Sequence, residues 1–198
     1  MPEMNETLLI AFAIAAVLAV GAWLFFQRRQ SDHLRSRFGS EYEHEVEDKG
    51  SRRKAEAELA EREKRVKKLD VRPLEPGARD GFRHRWTKVQ ARFVDDPPGA
   101  VAEADDLLGE VMRTRGYPVS DFEQSAGDIS VDHPEVIKQY RAGHDIAVRH
   151  ERGQASTEEL RQAMIHYRAL FDELIEDEGA KRRQKTEAGE LGPGRDRP

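Results

Sequence analysis

The stretch Ser156–Ile175, STEELRQAMIHYRALFDELI, decides the class of the fold. Leu160, Met164, Tyr167, Phe171 and Leu174 recur at steps of four and three, which places them on one face of an α-helix. Ser156 and Glu159 precede that face at the spacing of a capping box, with the hydroxyl bonding forward and the carboxylate reaching back.

Working towards the N-terminus, three more helices and a short turn follow. Asp132-His133-Pro134 opens a helix through Ile137, Tyr140, His144 and Ala147 or Val148, and Gly153 closes it. A short helical turn is expected at Asp121-Phe122-Glu123. Asp96 is a candidate N-cap ahead of Pro97 and Pro98, for a helix carrying Val101, Ala104, Leu108 and Val111 and stopping at Gly116. Phe82, Trp86, Val89 and Phe93 mark another amphipathic face. Short connections make antiparallel neighbours, so residues 81–175 are expected to form a small α-helical bundle. Its expected core is Phe82, Trp86, Val89, Phe93, Leu108, Val111, Ile137, Tyr140, Leu160, Met164, Tyr167, Phe171 and Leu174. Residues 71–80, with Pro73, Pro76 and Gly77, are expected as a linker.

Residues 27–70 are helical in pattern but thin in apolar positions. Leu34, Phe38, Tyr42 and Val46 recur every four residues, so their stripe drifts around a helix. The acidic EYEHEVED and the basic SRRK and REKRVKK flank Gly50, and Arg62 interrupts the seam of Ala55, Leu59, Val66 and Leu69. Glu58–Arg62, Glu61–Arg65 and Glu63–Lys67 stand at the favourable i,i+4 spacing. The expectation is a solvated charged stalk. A short coiled coil that forms a homodimer, or a basic strip on anionic lipid, are the sharper alternatives.

Beyond the stalk lies Leu8–Phe26, LLIAFAIAAVLAVGAWLFF, about 19 residues without a charge, close to what a bilayer core requires. It is expected as a transmembrane helix anchored by Leu8, Phe12, Leu18, Trp23 and Phe26, with Trp23, Phe25 and Phe26 at the end where rings favour the interface. The leader at residues 1–7 carries Glu3 and Glu6 and no base, which disfavours the rival reading as a cleaved signal. Arg28, Arg29, Arg35 and Arg37 follow the run, so the positive-inside rule puts the N-terminus outside and the bulk of the chain in the cytoplasm. Residues 176–198 lack apolar periodicity and are expected to be disordered.

Composition narrows the chemistry. With 36% charged and 7% aromatic residues, the chain is polar outside its apolar run. A net charge of −5 argues against a general nucleic-acid binder. The absence of cysteine excludes disulfides, thiolate catalysis and Cys-ligated metals. No phosphate-binding glycine loop, nucleophile elbow or HExxH occurs. His144 and His150 are six apart, unlike a metal-gripping i,i+4 pair, and His133 and His144 are expected in capping and core roles. Asp95-Asp96 and Asp105-Asp106 lack a recognisable catalytic partner, so no catalytic, cofactor or metal residue is assigned.

RFGSEYEHEVED, RKAEAELAEREKRVKKLDVRPL, RWTKVQARFVDDP, VMRTRGYPVSDFEQ, SVDHPEVIKQYR and the final helix together resemble a family of bacterial single-pass membrane-anchored proteins, over roughly Leu34 to Ile175. The resemblance implies a bacterial plasma membrane and carries no activity or site residue. The expected function is a membrane-anchored protein with a cytoplasmic helical domain that binds another protein. An envelope-associated structural or lipid-binding role, and an enzyme with an Asp/Glu/His site, are the alternatives.

Overall fold

The computed structural model describes residues 2–176, with side chains described at residue 12 and from residue 15 onward. The expected tail beyond Glu176 and the side chain of Leu8 lie outside the described residues. Among the described residues the chain is all-helical, with eight helices and no strand. They are α1 (Pro2–Phe38), α2 (Ser40–Lys49), α3 (Arg52–Val66), α4 (Pro76–Arg92), α5 (Pro97–Arg115), α6 (Phe122–Ser130), α7 (Pro134–Glu151) and α8 (Thr157–Glu176).

Helices α4, α5, α7 and α8 close around one apolar core, with α6 on its flank. Trp86 stacks on Phe171 at 4.5 Å between ring centroids, and Tyr140 meets Tyr167 at 6.0 Å. Phe82, Val89, Leu108, Val111, Ile137, Leu160, Met164 and Leu174 are buried with them, while Phe93 packs at the edge from the C-cap of α4. The caps use local chemistry. Asp96 accepts from the Gly99 amide at 3.0 Å, and Asp121 accepts from the Gln124 amide at 2.9 Å. The Ser156 amide donates to Glu159 at 2.8 Å.

Two boundaries differ from expectation. The linker is shorter, because α4 starts at Pro76, where proline costs a first-turn amide nothing, and Leu74 ahead of it is buried. The turn at Asp121 continues into the nine-residue helix α6, whose Ala126 and Ile129 find burial against the bundle.

The larger correction concerns residues 27–70, which form no solvated stalk. The last turns of α1 with α2 and α3 fold into a compact up-down-up unit with its own core of Leu34, Phe38, Tyr42, Leu59 and Val66, to which α6 contributes the adjoining Val131. Gly39 makes this fold-back feasible. Its φ of +51° is left-handed, a region that glycine enters without penalty. The break turns the four-residue stripe of Leu34 and Phe38 to meet Tyr42 on the returning helix. Ala55, Leu59 and Val66, the positions a coiled-coil dimer seam would have used, are fully buried within the chain.

Candidate functional site

Helix α1 has two halves of opposite character. From Phe12 to Phe26 its described large apolar side chains stand in the open, with Phe12 76%, Trp23 63% and Phe26 66% exposed. Two turns later Leu34 and Phe38 are 1% and 0% exposed. Among the described residues, no helix is long and apolar enough to cross a membrane. Of the four flanking arginines, Arg28 and Arg29 are exposed, whereas Arg35 reaches Glu43 at 3.4 Å and Arg37 reaches Asp132 at 3.6 Å.

The α1–α3 unit meets the bundle through a charged seam. Arg62 is buried and donates to Glu45 at 2.8 Å, to Glu41 at 3.2 Å and to the Ser130 hydroxyl at 3.4 Å. Arg141 of α7 donates to the same Glu41 at 2.9 Å and pairs with Glu123. Arg65 reaches the fully buried Asp128 at 2.7 Å. Two of the three expected i,i+4 pairs therefore give way, Arg62 turning to α2 and Arg65 to α6, and Glu63–Lys67 forms at 3.1 Å.

Gly127 is closely approached here. A Cβ at that position would lie 3.0 Å from the Arg62 Nε, so a side chain there would press the guanidinium back by a few tenths of an ångström. The sequence sets Arg62 as an interruption of the apolar seam of a solvated stalk, four residues after Glu58. The signal that could have found it was the acidic α2 facing the basic α3 across Gly50.

Beside the seam opens a polar cleft of about 780 Å³ between the hairpin and α6–α7. His44, Lys49, Glu58 and Arg62 line one side, and Phe122, Arg141, His144 and Asp145 line the other. His144 is not a core residue: it is half-buried and stacks on Phe122 at 3.5 Å, and Ile146 takes the buried position. Most charges in the cleft are already paired: Lys49 with Glu45 and Asp48, Arg141 with Glu41 and Glu123, and Asp145 with Arg149. The Asp48 carboxyl is held down by its hydrogen bond from Lys49. Such an arrangement clamps two helical units.

Behind the cleft, burial pushes the Asp105 carboxyl up, against the opposing influence of His144 and Tyr167. Burial likewise raises the Tyr167 and Tyr140 phenols far above their usual range, with Asp105 adding to both shifts. His133 is buried, with Nδ1 at 2.9 Å from Glu173, and it makes no side-chain cap to α7. Among the described residues no group of three His, Asp or Glu side chains is arranged to hold a metal ion.

The expected core residues come together in one cluster, whereas the described anchor residues with Arg28, Arg29 and Arg35 are exposed and Arg37 is partly buried in the packed unit. No protein-family model, no curated protein and no solved structure matches this chain.

Proposed function

We propose that this chain is a single-pass membrane-anchored protein, in which α1 is the anchor and the helical body is a protein-binding module held on the cytoplasmic face. The observation that carries this reading is the two-faced α1. From residue 15 to residue 26 every side chain is exposed, and the sequence there is AAVLAVGAWLFF, apolar on all sides. A helix apolar all round needs a nonaqueous surrounding, and one lying on a surface would keep a polar face. The uncharged run Leu8–Phe26 rises about 28 Å at helical pitch, close to the thickness of the hydrocarbon layer. Trp23, Phe25 and Phe26 fall where rings favour the interface, and Arg28 and Arg29 follow on the side expected to stay inside.

Binding is the favoured task because the charged groups of the cleft are committed to one another and hold the body in a fixed shape. Three measurements test this. The full chain expressed in bacteria should stay with membranes through alkaline carbonate washing, and removal of residues 2–26 should release it; release of the intact chain defeats the anchor. A unique cysteine at the exposed Ala57, in a chain that has none, should react with an impermeant maleimide only after the cells are opened. Crosslinking in native membranes should recover the same protein partner across growth conditions, and failure to do so removes the binding role.

A further inference from the structure

The geometry points to a binding site for anionic phospholipid headgroups, formed by Arg28 and Arg29 of α1 with Arg53 and Lys54 of α3. This rests on α1 being a membrane anchor.

The three helices of the hairpin unit fix the height of these groups. Arg35 meets Glu43, and its guanidinium lies 5.1 Å from the centre of the Tyr42 ring, so α2 runs back along α1. Ser31 donates to Glu56 at 2.6 Å, and further along α1 His33 lies 3.4 Å and Arg37 3.9 Å from Glu63. As α1 advances, α3 therefore advances beside it. Arg53 and Lys54 precede Glu56 by two or three residues, which at helical rise returns them to about the level of Arg28 and Arg29. That level begins within a turn of Phe26, the last residue of the apolar run. The α2–α3 turn thus lies beside α1 at the point where it would leave the lipid.

The charges at this level are uneven. Lys49 is engaged by Glu45 and Asp48, and Arg52 by Glu56. Among the described residues Arg28, Arg29, Arg53 and Lys54 form no ion pair, and all four are exposed. Asp32, Glu47 and Asp48 are the exposed acids on adjoining turns, Asp48 being engaged by Lys49. The first turn of α3 holds no acidic residue. Bases there oppose the helix dipole, so helix formation does not account for them. A plane of lipid phosphates does, since arginine grips phosphate with paired N–H groups and each base near an anionic leaflet adds several-fold to its attraction.

The test uses the full chain with one cysteine at Ala57, labelled with a fluorophore and reconstituted into vesicles of phosphatidylcholine alone or with phosphatidylglycerol, each containing a headgroup-linked quencher. Quenching should be stronger with phosphatidylglycerol, and high salt should remove the difference. The double substitution R53Q/K54Q should lower the preference roughly fivefold or more per charge removed, with an unchanged thermal melt showing that the fold is intact. Chain that floats with both vesicles but shows equal quenching, with or without the substitutions, overturns the headgroup site and leaves the anchor standing. Chain that fails to float with either vesicle overturns both. Release of the label from the vesicle surface by short RNA, abolished by R53Q/K54Q, would assign the bases to nucleic acid and overturn the site as well.

Discussion

The bundle of α4–α8 and the hairpin unit of α1–α3 are both compact, yet different forces hold them. In the bundle, aromatic and aliphatic side chains face one another across four helices, with Trp86 on Phe171 at the centre. The hairpin has a core of only a few apolar side chains; Arg62 ties Glu41 and Glu45 together within it, and Arg141–Glu41, Arg65–Asp128 and the Arg62–Ser130 hydrogen bond fasten it to the bundle. Apolar burial favours compactness without specifying direction. Buried ion pairs contribute less net stability, because desolvation offsets much of the attraction, but one arrangement alone satisfies all partners. The bundle should therefore supply most of the stability, and the seam should set how the hairpin sits.

Trp86→Ala tests the first half of that comparison most severely. It removes the ring stacked on Phe171 and should cost about 3–5 kcal/mol, measured by urea unfolding of the full chain in mild detergent. Arg62→Ala tests the second half. It leaves Glu41 with Arg141 alone and Glu45 with Lys49 alone, and should cost about 2 kcal/mol, seen as faster amide exchange in α2 and α3. Helices α4, α5 and α8 should keep their protection, and equal loss there would show that the two regions unfold as one unit. Gly127→Ala presses a methyl against the Arg62 guanidinium, but alanine favours helix α6, so the net cost should be about 1 kcal/mol or less, again read in α2 and α3.

Ser156→Ala should cost about 1 kcal/mol and fray only the start of α8 by amide exchange, since the capping box is local. The smallest effects are those of pH, and they have opposite signs in the two regions. Burial raises the Asp105 carboxyl in the bundle, so its ionisation opposes folding. Stability from this group is complete below the ordinary aspartate range and declines as pH rises through it towards the folded value. Asp105→Asn should flatten that slope in melting temperature against pH. In the hairpin, burial pushes the Glu56 carboxyl up, but hydrogen bonds from Ser31, Arg52 and Tyr42 outweigh it and hold the group down. Its contribution is present above the ordinary glutamate range and is lost as pH falls through the folded value. Glu56→Gln should remove that acid-side loss.

The same contrast explains what could be read in the sequence. The bundle was legible because a helix facing an apolar core repeats its apolar residues at steps of three and four, and because Asp96 and Ser156 announce helix starts by local bonding. The hairpin was not, because its attachment depends on charge. Arg62 has Glu58 four residues before it, the pattern of a solvated surface pair, and nothing in that spacing reveals that Glu41 and Glu45 claim it instead. Asp128 and Arg141 lie far away along the chain, and only the folded arrangement brings them to Arg65 and Glu41. His144 misled in the other direction: it occupied a stripe position, yet its stacking on Phe122 turns it towards the cleft.

One further consequence belongs to α1. It runs unbroken for 37 residues, about 55 Å, from its apolar half into the hairpin core. No hinge separates Phe26 from Leu34, so the body is rigidly geared to the outer half of the helix. Tilting or rolling of that half turns the cleft and the seam with it, as a key turns with its shaft. One residue inserted between Phe26 and Ser31 would swing the body by about 100° and advance it by about 1.5 Å. A binding partner with its own fixed orientation would register that change without any alteration to the surface it touches.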